Sequence, residues 1–214
     1  MTEIGQWLES WRALGVNDSP ELRGLHGDVL GRYSEPHRYY HTWQHLAECF
    51  EKVHGIISLA EHPAEVNVAL WFHDVIYDTR RHDNEERSAD WARSAARELG
   101  AGADSARRIH ELVMFTRHAA EPAGIDAQVL VDADLSILGA EPARFREYEG
   151  QVRREYGWVP DDVFRAARAR ILKEFLERPH LYWTANFRDR YEAQARRNLQ
   201  QSLVSLERHG AAEA

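Results

Sequence analysis

Apolar side chains recur at helical spacing along most of this sequence. Trp7, Trp11 and Leu14 lie four and three residues apart, as on one face of an α-helix. Residues 129–135 are apolar enough for a buried strand, but no neighbouring segment offers a partner strand, so a buried helix is predicted there. The sequence therefore predicts an all-α fold. The same pattern predicts further helices over residues 40–59, from residue 63 to near the His73-Asp74 pair, and over 85–99, 104–116, 142–156, 161–176 and 186–207.

The length of the chain is that of one large domain. It has 214 residues, of which 43% are hydrophobic and 29% charged, a balance typical of a globular core. No linker, low-complexity tract or internal repeat divides it, so we expect a single compact helical domain over residues 1–214. A domain of this size buries roughly 70% of its unfolded surface and needs no disulfide or structural metal. Any metal that the chain binds is therefore expected to serve a function.

Charge, cysteine content and hydropathy exclude several classes of protein. The formal net charge of −8 leaves no broad basic surface, so non-specific binding to nucleic acid is not expected. The single cysteine, Cys49, forms no internal disulfide and no four-cysteine zinc site, and its apolar neighbours predict core packing. The N-terminus lacks a leader pattern, and no uncharged run approaches the roughly 20 residues of a membrane span. A cytoplasmic protein is expected.

Two histidines and a histidine–aspartate doublet have the spacing of metal ligands. His41 and His45 are four residues apart, which on a helix places both rings on one face. Such a pair equally suits a capping or packing role. His73 and Asp74 follow the bulky apolar run 69–72, where burying a carboxylate without a partner costs several kcal/mol. A divalent cation supplies that partner, and a capped helix end is the structural alternative.

Two more carboxylates occur in apolar surroundings much later in the chain. Asp132 and Asp134 are surrounded by the apolar residues of segment 129–138. An unpartnered carboxylate is unfavourable in such surroundings, so metal binding by one of the two would stabilise its ionised form.

This ordered series resembles a known family. A histidine on one helix, a histidine–aspartate doublet ending another and a distant Ala-Asp-Leu aspartate are the pattern of the HD superfamily of metal-dependent phosphohydrolases. The resemblance implies an HD-like helical bundle with His45, His73, Asp74 and Asp134 as metal ligands. Asp134 is preferred to Asp132 because the superfamily's final aspartate usually follows a small residue and precedes an apolar one. The phrases 40–45, 71–78, 84–89 and 132–135 are similar to an uncharacterised predicted-phosphohydrolase branch, over about residues 5–205.

The resemblance also implies a cofactor and a reaction. Mixed nitrogen and oxygen donors suit one divalent ion, or two, without choosing among Mn, Fe, Co, Ni, Zn and Mg. Four protein ligands leave room on such an ion for a water and a substrate oxygen. The expected activity is hydrolysis of a phosphomonoester, phosphodiester or pyrophosphate bond in a small phosphorylated metabolite or nucleotide, with a metal-activated water as nucleophile.

Further residues are candidates for catalysis and substrate binding. Asp74 is expected to orient the attacking water, and Glu85 is the candidate for proton transfer. Glu85 equally suits a stabilising charge at the start of the next helix. His118 stands where the family often has a histidine and is a candidate contact for phosphate or a second metal. Guanidinium groups bind phosphate oxygens bidentately. The remaining candidate substrate contacts are His41, Arg38 and Arg117.

Two other functions stay open. Some HD-fold relatives use two iron ions to activate oxygen and need extra histidines between the doublet and the final aspartate, where His82, His110 and His118 lie. The second alternative is a binding or signalling module that keeps the fold and has no turnover.

Overall fold

The computed structural model describes residues 2–211, with side chains described to residue 207. Within this range the secondary structure consists of α-helices, short 3₁₀-helices and one π-helical turn, without a strand. The all-α prediction is confirmed, and residues 125–134 form a helix rather than a strand. No described helix combines the length and the hydropathy that a membrane span requires.

Two compact units make up the chain. They comprise residues Met1–Ala133 and Asp134–Ala214. The division falls inside one continuous helix, of which Asp134 is the last residue. The expectation of one domain over residues 1–214 stays a prediction.

The first unit is built around its fourth helix. Seven of the ten residues of α4 are buried, as predicted, and α4 packs against α1, α3, α5 and α6. Because α4 is apolar on nearly all sides, it can remove its side chains from water only if other helices surround it. The helices of this unit are α1 (Glu3–Ala13), α2 (Pro20–Arg32), α3 (Trp43–His54), α4 (Pro63–Phe72), α5 (Asn84–Glu98), α6 (Ala103–Phe115) and α7 (Ile125–Asp134), with a 3₁₀ turn at Ile57–Leu59.

A cluster of aromatic rings attaches α1 to α4. Trp7 of α1 meets Trp71 of α4 edge to face, with ring centroids 5.3 Å apart. Trp11, one turn further along α1, packs on Phe72 in the same way. All four rings are fully buried, so the end of α4 is fixed by the largest side chains of the unit.

The predicted helix over residues 40–59 is wrong at both ends. Thr42 has extended backbone geometry, and its hydroxyl accepts a hydrogen bond from the Gln44 amide, so α3 begins only at Trp43. His41 therefore precedes the helix, and the prediction that His41 and His45 share one helical face is also wrong. The C-terminal part separates as the 3₁₀ turn after α3.

The second unit follows α7 directly. The buried Asn198 joins its last helix to the segment after α7, because its amide donates 2.8 Å hydrogen bonds to the carbonyls of Leu138 and Ala140. The helices predicted over 142–156, 161–176 and 186–207 are present, and the last one contains a π-helical turn. The elements of this unit are a 3₁₀-helix (Leu135–Gly139), α8 (Pro142–Glu155), α9 (Asp161–Glu177), α10 (Ala185–Phe187), the π-helical turn (Arg188–Glu192) and α11 (Ala193–Ala211).

Candidate metal centre

The histidine–aspartate doublet lies directly after the last residue of α4, as the sequence predicts. His73 is the C-cap residue and is buried. Its Nδ1 lies 2.8 Å from the Leu70 carbonyl oxygen. Because a carbonyl oxygen only accepts, Nδ1 carries the proton and donates this hydrogen bond. The other ring nitrogen, Nε2, is thereby oriented as the atom that meets a ligand.

Three donor atoms meet at this point. Nε2 of His45 lies 3.1 Å from Nε2 of His73. One carboxylate oxygen of Asp74, Oδ2, lies 3.4 Å from the His45 nitrogen and 3.0 Å from the His73 nitrogen. Around an ion bound at about 2.1 Å, neighbouring ligand atoms lie about 3.0 Å apart in an octahedron and about 3.4 Å apart in a tetrahedron. All three separations therefore fit donors that share one ion.

The electrostatics of this triangle favour a cation. A cation shared by the two imidazoles and the Asp74 carboxylate would take over the stabilisation that charged, hydrogen-bonding rings otherwise give this carboxylate. Burial by itself raises the pKa of Asp74. The charges of His73 and His41, with hydrogen bonds from His45 and His73, outweigh burial and hold this pKa well below its usual value. The carboxylate is therefore ionised.

Asp134 ends α7 and is the first residue of the second unit. Asp132, the competing residue, is completely buried two positions earlier in α7. The preference for Asp134 over Asp132 stays a prediction.

Cys49 lies beside one imidazole of the centre. Its Sγ lies 3.5 Å from Nδ1 and 3.8 Å from Nε2 of His45. The thiol is buried, so the predicted core position of Cys49 is confirmed.

Arg38, expected to contact substrate, is bound instead by the backbone around the doublet. Its guanidinium is fully buried and donates from Nη1 to the carbonyls of Asp74, at 2.6 Å, and His41, at 3.2 Å. Nη2 donates to the Val75 carbonyl at 3.0 Å, and Nε to Glu35 at 3.0 Å. These contacts use the N–H groups with which a guanidinium would bind a phosphate.

The start of α5 holds the loop that follows the doublet. Ser88 accepts a 3.0 Å hydrogen bond from the Ile76 amide. Asn84 donates to the Asp78 carbonyl at 2.9 Å and accepts from the Asp78 amide at 3.2 Å. In the sequence, residues 84–89 were singled out only for their family resemblance. The one-turn spacing of Asn84 and Ser88 was a further signal, because two polar side chains on one helical face can bind the backbone of a neighbouring loop.

The remaining candidate residues of the centre lie at differing positions. His41 is half-buried and stacks on Tyr77, with ring centroids 4.0 Å apart. Glu85 lies in the first turn of α5, and among the described residues no hydrogen bond or ion pair joins it to His45 or to the doublet. Its position fits the alternative of a charge at a helix start, and its role in proton transfer stays a prediction.

The structure places the other candidate residues around α5 and α6. Arg117 is exposed and His118 half-buried in the turn that ends α6, where His118 has a φ of 53°. His82 is exposed, and Nε2 of His110 lies 3.3 Å from the Asp90 carboxylate. The roles predicted for Arg117 and His118 stay predictions.

The chain matches no family model, no curated protein and no solved structure.

Proposed function

We propose that the chain is a metal-dependent phosphohydrolase of the HD type. The observation that carries the proposal is the triangle of His45, His73 and Asp74, whose donor atoms lie 3.0–3.4 Å apart. Both imidazoles are buried, and one has its outer nitrogen bound to a carbonyl, as is usual for histidines that bind metals. Asp134 is the proposed fourth ligand.

The donor set fits a catalytic ion better than a structural one. Two imidazole nitrogens and two carboxylates suit Mn, Fe, Co, Ni, Zn or Mg, with one ion or two. The ion, when bound, supplies a water of lowered pKa and polarises a phosphoryl oxygen. Asp74 faces both imidazoles through Oδ2, and we assign its second oxygen, Oδ1, to orienting the attacking water. Glu85 is the proposed proton carrier.

The proposed substrate is a small phosphorylated metabolite or nucleotide with a phosphomonoester, phosphodiester or pyrophosphate bond. The cytoplasm is the proposed location. Of the two alternatives, a di-iron oxygenase loses support from His110, because this ring is paired with Asp90 on the neighbouring helix. A silent binding module would use the same ligands and differs only in its turnover.

The test compares the intact chain with Asp74→Asn, which keeps the shape of the side chain and removes its charge. After loading with Mn²⁺ or Co²⁺, the natural protein is expected to hold about one ion and to release phosphate from a phosphoester or pyrophosphate. Asp74→Asn should weaken metal binding by more than the roughly 10- to 100-fold that loss of an outer partner costs. Asp83→Asn is the matched control, because Asp83 is a surface residue paired with Arg81.

Three results would oppose the proposal. They concern the ligand assignment, the hydrolytic activity and the choice between hydrolase and oxygenase. Unchanged metal content in Asp74→Asn would show that the ligand assignment is wrong. Metal-loaded protein that leaves monoesters, diesters and pyrophosphates intact would refute the hydrolase and leave the binding module. Two bound irons with oxygen consumption and no phosphate release would identify the oxygenase.

A further inference from the structure

Arg38 is a buried cation that joins the two segments carrying the ligands of the centre. Its side chain has no exposed surface. The carbonyl of His41, four residues before the ligand His45, and the carbonyl of Asp74 accept from the same guanidinium nitrogen, Nη1. The second terminal nitrogen binds Val75, the residue after Asp74. One planar group thus fixes both backbones at once.

Aromatic rings and an acid hold this guanidinium in place. Its central carbon lies 5.4 Å from the ring centroid of Tyr33 and 5.5 Å from that of Tyr77. Glu35, itself partly exposed, accepts from Nε at 3.0 Å and supplies the opposite charge. Four hydrogen bonds and two ring contacts thus hold the Arg38 guanidinium, and three of these hydrogen bonds reach the two ligand segments.

We propose that Arg38 is a positioning residue that sets the spacing between the His45 imidazole and the Asp74 carboxylate, and thereby the affinity of the centre for a divalent ion. The inference rests on the proposed function, because it presumes that the centre binds an ion. Arg38 itself touches neither the ion nor a substrate. Its effect passes through the carbonyls of His41, Asp74 and Val75.

The planar fork of arginine is what this arrangement requires. Lysine keeps the positive charge but is a point charge on a flexible stem, and it cannot span three carbonyls and a carboxylate lying along the edges of one plane. Arg38→Lys therefore separates the positioning role from the charge. If Arg38 acted through charge alone, the lysine variant would retain metal binding.

The experiment measures binding of Co²⁺ by calorimetry and by the visible spectrum of the bound ion, in the full chain. Arg38→Lys is expected to weaken binding by roughly 10- to 100-fold and to alter the spectrum, as loss of an outer partner does at other metal sites. The matched control is Arg32→Lys. Arg32 also binds Glu35, at 3.0 Å, yet none of the site carbonyls, so its variant should bind Co²⁺ as the natural protein does.

Circular dichroism identifies any variant that fails to fold. In that event Glu35→Gln replaces Arg38→Lys, because it loosens the anchor of the guanidinium while keeping all its bonds to carbonyls; several-fold weaker binding is then expected. The inference would be overturned if folded Arg38→Lys bound Co²⁺ with the affinity and spectrum of the natural protein. The same holds for Glu35→Gln where that variant is used. Either result would leave the proposed function intact. Absence of Co²⁺ binding in the natural protein would overturn both.

Discussion

The ion pair between Glu65 of α4 and Arg108 of α6 gives a direct test of how the first unit holds its central helix. Both guanidinium contacts are 2.6 Å long, Nε to Oε2 and Nη2 to Oε1. The Glu65 side chain is only 4% exposed, whereas that of Arg108 is 31% exposed. Replacing Arg108 with methionine leaves a buried carboxylate without its two charge-assisted donors.

The magnitude follows from this unequal burial. Breaking a fully buried pair typically costs about 3–5 kcal/mol. Water that reaches the vacated Arg108 side reduces the cost, and the position of Glu65 in the first turn of α4 offsets up to about 1 kcal/mol. We therefore expect Arg108→Met to lower the free energy of unfolding by about 2–4 kcal/mol. Glu65→Gln should cost less, because the half-exposed guanidinium regains solvent.

Urea titration followed by tryptophan fluorescence measures both variants, since Trp7 and Trp71 are buried in this unit. The neighbouring Arg107 provides the control, because its pair with Glu111 is exposed on both sides and Arg107→Met should cost less than about 1 kcal/mol. Equal losses for Arg107→Met and Arg108→Met would refute the reasoning, because the burial of Glu65 would then have no energetic weight.

Two further predictions concern pH and packing. Burial lowers the pKa of His26 from 6.5, and the charge of Glu3 only partly opposes this. Below about pH 6.5 the unfolded chain therefore binds a proton at this ring more readily than the folded chain does. As the pH decreases, the free energy of unfolding should decrease by at most about 1.4 kcal/mol per pH unit. Urea titrations of His26→Phe should lack this pH-dependent component. In the second unit, a Cβ on Gly139 would lie 2.7 Å from Cβ of Tyr191, so Gly139→Ala should lower the thermal midpoint and cost about 1–3 kcal/mol. The helical Gly150 has open space, and Gly150→Ala should instead stabilise by about 0.5–1 kcal/mol; opposite signs would contradict both assignments.

Much of the fold was predictable because helical periodicity is a local property. The apolar run that forms α4 predicted a helix buried on nearly all sides, and α4 is the central helix of the first unit. The helix limits at residues 40–59 were predicted less well. The helical spacing of side chains extends back past His41, so it gives no sign of where the helix begins. The hydrogen bond from the Gln44 amide to the Thr42 hydroxyl decides that α3 begins at Trp43.

The candidate centre was predictable only as a set of residue types. A doublet after an apolar helix and an acid in an apolar segment indicated ligands, and the structure brings the nitrogens of His45 and His73 to 3.1 Å. The contacts of Arg38 with backbone carbonyls were not predictable in this way. A phosphate and a backbone carbonyl attract the same guanidinium, and no sequence pattern distinguishes them.

By itself, the sequence determined the all-α class and the position of α4, because each depends on neighbours within a few turns. Only the tertiary structure decided that Sγ of Cys49 lies 3.5 Å from Nδ1 of His45 and that Arg38 binds the Asp74 carbonyl. The physical reason is that hydrogen bonds and ligand spacings depend on ångström distances between segments far apart in the chain. The Arg38 guanidinium and the Asp74 carbonyl are separated by 36 positions in sequence and by 2.6 Å in the folded protein.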